Sequence, residues 1–491
     1  MTPELLSFSP SHLLAVLPEI LLIVLGGVII VVDLALPAER KRAVGLYTAV
    51  GFGAVLVVML LVALPTVDGR LIFGGLLRND MTAFVFRVLF LFAGVVTALI
   101  SVDSPTIGKE GEYFLVVTAA VLGMSLMASA ADLIMLYLAL EMTSIGLYAL
   151  AGFLRENVKS AEAGLKYFLF GAFTSSIMLY GFSLLYGFTG QTNLYALSAA
   201  LGAAPPEAAL LALLLILVGF GFKVSAVPFH FWAPDVYEGA PTPITAFLSV
   251  ASKAAGFAVL IRVLLAVFPG VETVWTTLII VVAMATMTLG NVIALTQRNI
   301  KRLLAYSSIA QAGYMLMGLA ALSANGVAAI LYYLGMYTLT NLAAFGVIVL
   351  VSRVTGSDEI ADYAGLSRRS PGLALALLVA FLSLGGIPPL AGFFGKFYLF
   401  TSVMQQWQAT ANGWLLALAV VGLLNAIISL YYYLIVLKVV YLGAPKDEAL
   451  VYPVPRPYTL ALWACVLGVI VVGAVIGPWV SLAAAAAGGL F

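Results

Sequence analysis

Long apolar stretches, separated by short clusters of glycine, proline and charged residues, recur along the whole chain. Most of them are close to or longer than the roughly 20 residues that an α-helix needs to cross about 30 Å of hydrocarbon. The pattern therefore predicts an all-α integral membrane protein with about 14 transmembrane helices. The predicted spans cover residues 12–36, 44–65, 82–101, 112–129, 131–154, 160–188, 206–230, 243–268, 272–295, 300–322, 324–352, 371–404, 411–441 and 457–483.

Positively charged residues indicate the direction of these spans, because cytoplasmic loops carry an excess of lysine and arginine. Arg40, Lys41 and Arg42 follow the first span, so this loop is predicted to be cytoplasmic and both chain termini external. The predicted outer loops contain only Arg70 and Arg78. The other cations in loops or at the ends of spans fall on the cytoplasmic side: Lys109, Arg155, Lys159, Arg298, Lys301, Arg302, Arg353, Arg368, Arg369, Lys446 and Arg456.

Two stretches of the chain, five predicted spans apart, share a pattern of aromatic and glycine residues. Tyr167 through Gly181 in the sixth span resembles Tyr332 through Gly346 in the eleventh. Because five is an odd number of crossings, the second copy must cross the membrane in the opposite sense. The pattern predicts two inverted five-helix repeats, formed by spans 4–8 and 9–13, an arrangement that many secondary transporters share.

These repeats divide the sequence into four predicted segments. Residues 1–110 form an N-terminal three-helix segment, and residues 111–270 form the first repeat. Residues 271–443 form the second repeat, and residues 444–491 contain a C-terminal helix.

Proline and glycine interrupt the seventh and twelfth spans, which are counterparts in the two repeats. Pro228 lies in the seventh span, and Gly386, Pro388 and Pro389 lie in the twelfth. Proline removes a helical hydrogen bond and clashes with the preceding turn, so both helices are predicted to break. Unpaired backbone groups at membrane depth persist only where they line a cavity or are buried in protein. Broken spans at matching positions therefore predict a transport site.

The composition supports a membrane protein and excludes several other classes. Hydrophobic residues make up 63% of the chain and charged residues 9%, whereas soluble domains are about a quarter charged. The net charge is +1, and no basic tail or acidic block indicates nucleic-acid binding. The chain has one cysteine, Cys465, so an internal disulfide or a cysteine-ligated iron–sulfur cluster is excluded.

Among the ionisable residues inside predicted spans, four are the main candidates for a function: Glu141 in the fifth, Lys223 in the seventh, Lys253 in the eighth and Lys396 in the twelfth. A charge at the bilayer centre costs about 2.5–3.5 kcal/mol on insertion scales, so such residues are candidates for a function. Burial disfavours the charged form of either residue type, and a nearby opposite charge favours it. A buried lysine with a movable partner can take up and release a proton, which is the chemistry predicted here.

Depth in the membrane separates Lys253 from two weaker candidates, Lys166 and His230. Lys253 lies ten residues after Pro243, roughly 15 Å into its span, too deep to snorkel to the surface. Lys166 lies only about six residues into its span, so snorkelling is an equal alternative for it. His230 follows the break in the seventh span and either relays protons between Lys223 and Lys253 or is a hydrogen-bonded structural residue.

A purely structural role is the alternative for charged residues inside the predicted spans. Arg87 and Arg262 lie near the outer ends of their spans, and both are expected to snorkel. Glu141 and Lys223 would form a static buried ion pair on this view.

One uninterrupted stretch carries a resemblance to a known family. It reads KVSAVPFHFWAPDVYEGAPTP over residues 223–243 and continues to Lys253. It resembles the antiporter-like membrane subunits of respiratory complex I, the proton-pumping NADH:quinone oxidoreductase. The resemblance extends from about residue 132 to residue 441 and includes KRLLAYSSIAQ at 301–311 and GIPP at 386–389. Lys396 and the short sequence after the last span favour one of the smaller paralogues of this family.

The resemblance implies a subunit with 14 helices and inverted repeats of spans 4–8 and 9–13. It implies a half-channel around Glu141, Lys223 and Lys253, joined to an exit around Lys396. In this family NAD, flavin, iron–sulfur clusters and quinone are handled by partner subunits, so this chain is expected to bind no cofactor itself. The expected partners are other membrane subunits of complex I, the lipid bilayer and protons, with no nucleic acid.

Three other functions stay open at the level of sequence. A subunit of a multi-subunit sodium/proton antiporter would share the fold and the lysines, although the VYEGAP phrase at 236–241 argues against it. A passive scaffold subunit would use its buried charges only to hold helices together. A stand-alone solute carrier is the third, but no span shows a substrate-recognition cluster beyond the proton-type residues.

Overall fold

The computed structural model describes residues 10–65, 69–202, 205–445 and 452–491. Lys446, which the positive-inside pattern placed on the cytoplasmic side, lies outside these described residues. Within them the chain forms 21 α-helices and one short antiparallel hairpin, in which Arg70 pairs with Asn79. The strands are β1 Arg70–Ile72 and β2 Leu77–Asn79.

The α-helices follow one another along the chain and are numbered in that order. They are α1 Pro10–Ala15, α2 Leu17–Ala35, α3 Arg42–Val62, α4 Met81–Ser101, α5 Gly111–Ser129, α6 Leu133–Ala151, α7 Val158–Thr189, α8 Leu194–Leu201, α9 Pro206–Val224, α10 Trp232–Gly239, α11 Thr242–Phe247, α12 Lys253–Val267, α13 Glu272–Ala294, α14 Ile300–Ala320, α15 Ala324–Thr355, α16 Leu366–Arg369, α17 Pro371–Gly385, α18 Ala391–Thr410, α19 Gly413–Leu442, α20 Arg456–Ala474 and α21 Gly477–Gly488. Short 3₁₀ turns cover Ala38–Arg40, Phe73–Gly75, Pro269–Val271 and Ile360–Tyr363.

The predicted number of membrane spans is confirmed. In the described part of the chain, 13 helical segments are long and apolar enough to cross a membrane, and α17 is a shorter apolar helix that begins the twelfth predicted span. The predicted all-α membrane fold is therefore confirmed, with span ends that differ from the sequence-based bounds by a few residues.

Several helices begin at a polar side chain that accepts hydrogen bonds from the first free backbone amides. Asp132 accepts from the amides of Ile134 and Met135 at the start of α6. Asn157 and Asn299 have the same role at α7 and α14. Each such cap contributes roughly 1 kcal/mol. These caps explain why the apolar runs of the sequence turn into helices at defined residues.

Both predicted helix breaks are confirmed. Helix α9 ends at Val224, and the chain passes through Ser225 with φ of 60° before α10 begins. Helix α17 ends at Gly385, and Gly386 with φ of 85° leads to α18. A left-handed conformation cannot continue a right-handed helix, so the last carbonyls of α9 and α17 lose their helical partners.

A third interruption of an α-helix was not predicted from the sequence. Between α11 and α12, residues Leu248–Ser252 form a π-helical turn, and α12 resumes at Lys253. Turns of this kind, inserted in α-helices, are frequent at functional sites. The turn thus marks the chain just before one of the candidate lysines.

The chain divides into two compact units. The first contains the residues up to Val224 together with Ala251–Trp275 and Ala485–Phe491, and within it α7 packs along α9 and α5 along α6. The second contains Ser225–Val250 and Thr276–Ala484, and within it α15 packs against α14, α17, α18 and α20. The predicted boundaries of the four sequence segments stay a prediction.

Candidate functional site

Lys223 is the penultimate residue of α9 and is held directly before the helix break. Its side chain is 4% exposed, and Nζ donates a hydrogen bond of 2.6 Å to Ser144 Oγ on α6. Ser144 in turn donates to the carbonyl of Leu140 at 2.5 Å. Because an ammonium group can only donate, the hydroxyl offers Lys223 an acceptor whose own proton is already committed to Leu140.

Glu141 lies three residues before Ser144 on α6, and its charge acts on Lys223. The side chain is half-buried, and Oε1 is buried without a hydrogen-bond partner. Its neighbours at helical spacing, Leu138 and Ile145, are both exposed. The carboxylate therefore lies between the lysine and an open face of α6.

Lys253 is the first residue of α12 and is 2% exposed. One turn later, Gly256 lies against α9 so closely that an added Cβ would be 3.2 Å from Lys223 Cβ and 3.0 Å from Val224 Cγ1. The absence of a side chain at Gly256 lets the two helices meet beside the candidate lysines. Glu141, Lys223 and Lys253 thus belong to one compact unit.

Lys396 on α18 belongs to the second unit and is 6% exposed. Its Nζ donates to the carbonyls of Leu384 at 2.9 Å and Gly385 at 3.3 Å, and it stands 4.9 Å from the ring centroid of Tyr314. These are the final carbonyls of α17, left free by the break at Gly386. The broken helix thus supplies the acceptors for this lysine.

His230 lies in the connection between α9 and α10, within the second unit. The ring is buried, packs against Phe231 at 4.4 Å between centroids, and leaves Nδ1 without a hydrogen-bond partner. The relay between Lys223 and Lys253 that the sequence suggested for His230 stays a prediction.

Lys166 stands apart from the buried lysines. It is about one-third exposed and forms an ion pair of 2.7 Å with Glu162, four residues earlier on α7. The sequence interpretation did not identify this partner, although spacing of four residues on one helix is a favourable geometry for opposite charges. The role of Lys166 on a proton path stays a prediction.

The prediction that Arg262 snorkels to the surface is wrong. Arg262 is 1% exposed and makes a two-pronged ion pair with Asp80, with nitrogen–oxygen distances of 2.8 and 3.0 Å. The same guanidinium donates to Tyr195 Oη and to the carbonyl of Ala128. A buried arginine is retained when a carboxylate and further acceptors replace its water.

The same prediction for Arg87 is also wrong. Arg87 is 3% exposed and pairs with Glu19 at 2.8 Å, while Ser125 bridges the two side chains. Glu19 lies 68 positions earlier, so this partner had no signal in the local sequence. Both arginines are buried, ion-paired charges within the first unit, although Arg262 Nε and Glu19 Oε2 have no hydrogen-bond partner.

Two hydrophilic residues of the site escaped the sequence interpretation. Ser144 lies three residues after Glu141, and Gln311 lies at the end of the KRLLAYSSIAQ phrase. Neither is ionisable, so neither attracted a functional prediction. Within the described ranges, no group of three or more histidine, cysteine, aspartate or glutamate side chains is arranged to hold a metal ion.

Comparison with known proteins connects this geometry to a family. A family model described as NADH:quinone oxidoreductase/Mrp antiporter, TM, matches residues 130–438. NADH-quinone oxidoreductase subunit N of Moorella thermoacetica is 46% identical over 441 residues, which cover 89% of this chain and 90% of that protein. The residues that the family model matches include all the candidate residues from Glu141 to Lys396.

Solved structures give the same result. A chain of respiratory complex I from Thermus thermophilus is 36% identical, with a TM-score of 0.80, over 95% of this chain and 99% of its own length. A chain of the Mrp complex from Dietzia sp. has a TM-score of 0.86 at 22% identity, over 98% of both chains. The second likeness concerns the fold alone.

Proposed function

The chain belongs to the antiporter-like membrane subunits of the NADH:quinone oxidoreductase/Mrp antiporter family, of the subunit N type, and from this we propose which side chains move protons. It is a proton-translocating integral membrane subunit of an NADH:quinone oxidoreductase in an energy-converting membrane. Its partners are the lipid bilayer and the other membrane subunits of that complex. The proposed proton carriers are Glu141, Lys223, Lys253 and Lys396.

One observation supports this proposal above the others: Lys223 is buried, hydrogen-bonded to a neutral hydroxyl and within the field of a carboxylate that is not fully paired. Arg262 and Arg87 show how this chain holds a static charge, through close ion pairs with several hydrogen bonds. Lys223 lacks such an arrangement with Glu141. Its proton affinity therefore responds to any change in the carboxylate.

In the proposed mechanism Glu141 receives the signal from the rest of the complex. When its charge is neutralised or displaced, the ammonium of Lys223 loses electrostatic support and releases its proton. The proton passes to Lys253, which belongs to the same unit and to a helix in contact with α9. Lys396 in the second unit receives and releases a proton in turn. Return of the Glu141 charge reloads Lys223.

The position of Glu141 indicates where the signal enters. A half-exposed carboxylate inside a membrane span is costly unless protein covers it. We assign the exposed stripe of α6 with Leu138, Glu141 and Ile145 to contact with a neighbouring membrane subunit of the complex. Movement in that neighbour would change the environment of the carboxylate directly.

The redox chemistry belongs to the partner subunits. We propose that NAD, flavin, iron–sulfur clusters and quinone are bound there, and that this chain contributes only proton transfer. Moving one charge against the membrane potential costs about 2.3 kcal/mol per 100 mV, which quinone reduction must supply. Both termini of the chain lie on the outer side in this proposal, in agreement with the positive-inside pattern of the loops.

The proposal is tested by replacing Lys253 with methionine in the whole complex, in sealed membranes. The expected result is loss of redox-driven proton pumping with all subunits still assembled. Lys438→Met is the matched control, because Lys438 is an exposed lysine near the end of α19. The complex with Lys438→Met is expected to pump normally. Normal pumping by assembled Lys253→Met would instead support the passive scaffold and remove Lys253 from the path.

A further inference from the structure

Gln311 is a fully buried amide on α14, and one of its hydrogen bonds reaches the last turn of α17, next to the helix break. Its Nε2 donates to the carbonyl of Leu384 at 3.4 Å and to Tyr433 Oη at 3.3 Å. Its Oε1 accepts a hydrogen bond from Tyr333 Oη. The amide therefore uses both its donor and its acceptor ends.

The orientation of this amide follows from its partners. A backbone carbonyl can only accept, so the atom of Gln311 that faces Leu384 must be the nitrogen. The hydroxyl of Tyr433 is hydrogen-bonded to Ser307, which helps to hold it in place. Reversal of the amide would set its oxygen against the carbonyl oxygen. Gln311 is thus fixed in one orientation.

The carbonyl that Gln311 contacts is also the nearer acceptor of Lys396. Leu384 O accepts from Lys396 Nζ at 2.9 Å and from Gln311 Nε2 at 3.4 Å. The carbonyl is free to do so because α17 ends one residue later. Two donors, one ionisable and one neutral, therefore share a single oxygen of the broken helix.

We infer that Gln311 is a positioning residue for proton transfer at Lys396, which holds the Leu384 carbonyl in place and limits how strongly it binds the ammonium form. The inference rests on the proposed role of Lys396. Gln311 touches no transferred proton and acts only through the shared oxygen. Removal of its amide leaves that carbonyl to Lys396 alone, so the ammonium form is held more tightly and releases its proton at higher pH.

The test compares the pH profiles of redox-driven pumping for the complete complex carrying Gln311→Met, Tyr333→Phe or neither change. Gln311→Met is expected to move the profile toward alkaline pH by roughly half to one unit, the equivalent of one net hydrogen bond. Tyr333→Phe also removes a buried hydrogen bond of Gln311 but retains the contact with Leu384. It is expected to leave the profile unshifted.

The titratable side chains around Lys396 do not obscure this result. They are Tyr314, under the ammonium group, and Tyr333 and Tyr433, which reach it through Gln311. Tyrosine ordinarily titrates near pH 10, away from the range in which pumping is measured. Gln311→Glu provides a second variant, whose carboxylate accepts from both tyrosines but cannot donate to Leu384 when ionised. It is expected to move the profile in the same direction, and further.

Three results would overturn the inference. The first is an unshifted profile in both Gln311 variants, and the second is a slower rate without a shift, which would indicate only a structural role. The third is an equal shift in Tyr333→Phe. Lys396→Ala, measured in parallel, separates this inference from the proposed function. If Lys396→Ala stops pumping while the Gln311 profiles are unshifted, the proposed function survives and the role of Gln311 does not.

Discussion

The buried ion pair between Asp80 and Arg262 offers a sharp test of how this fold holds charge. Asp80→Asn removes the negative charge and leaves the size of the side chain unchanged. Asp80 also caps α4 by accepting from the amide of Ala83 at 2.8 Å. Asparagine caps helices as well as aspartate does, so the change isolates the loss of charge from the loss of the cap.

The expected effect is large because Arg262 cannot reach water. With a side chain 1% exposed, it would keep Tyr195 and Ala128 as acceptors but lose its counter-ion. Removing one partner of a buried pair typically costs 3–5 kcal/mol, and the two remaining acceptors place the expected loss near the lower end, about 3 kcal/mol. The exposed pair between Glu162 and Lys166 is expected to contribute less than about 1 kcal/mol.

The assay is the amount of assembled complex and the midpoint of its heat-induced dissociation. Asp80→Asn is expected to lower both clearly, whereas Glu162→Gln is expected to change neither. Adding Arg262→Gln to Asp80→Asn removes the unpaired charge and is expected to restore part of the loss. If Asp80→Asn behaves like Glu162→Gln, the interpretation of this pair as a buried, static charge is wrong.

The contribution of the Asp80–Arg262 pair to stability is expected to depend on pH in a defined direction. Asp80 precedes α4, and burial alone would raise the pKa of its carboxyl, but the charge and hydrogen bonds of Arg262 hold that pKa below the usual 3.8. A lowered folded-state pKa contributes stability above the unfolded value, and this contribution is lost as pH falls through the folded value. The difference between Asp80→Asn and the unchanged chain is therefore expected to be constant from neutral pH down to about pH 5.

Two further predictions concern the acceptors of the candidate lysines. Ser144→Ala removes the hydroxyl that accepts from Lys223 and is expected to slow pumping about ten-fold or more, since hydrogen bonds to charged groups contribute roughly 1.5–3 kcal/mol. Ser144→Thr retains a hydroxyl and is its control. Equal pumping by the unchanged chain, Ser144→Ala and Ser144→Thr would exclude this role of Ser144. Gly386→Ala puts a Cβ 3.1 Å from Lys396 Cδ at a residue with φ of 85°, a strain of roughly 1–2 kcal/mol, and is expected to reduce pumping in the assembled complex. Gly413→Ala, where no atom lies within 4 Å of the added Cβ, is its control, and equal pumping by both variants would contradict the close packing at Lys396.

Much of the fold could be predicted from the sequence because a membrane span has a strong local signal. A run of roughly 20 apolar residues is sufficient to identify each one. The two broken helices were also visible, because proline and glycine act on the backbone at their own positions. The end of the seventh span was predicted six residues late, since Ser225, which ends α9, carries no local sign of its left-handed conformation.

The candidate site could be predicted only in part. Lysines and a carboxylate in apolar spans are visible in a sequence, and their burial is as expected for the three lysines. Their partners were not visible, because Ser144 lies 79 positions from Lys223, and Asp80 lies 182 positions from Arg262. Such contacts depend on how helices pack, and no local pattern records them. The π-helical turn before Lys253 was likewise not predicted from the sequence.

The most direct test of the central claim is redox-driven proton pumping by the complete complex in sealed membranes with Lys223→Ala. Assembly is verified first, and quinone reduction is measured in the same membranes. The proposed mechanism predicts that pumping is lost although every subunit is present. Normal pumping by a correctly assembled Lys223→Ala complex would make this lysine structural and would contradict the proton path through Glu141, Lys223 and Lys253.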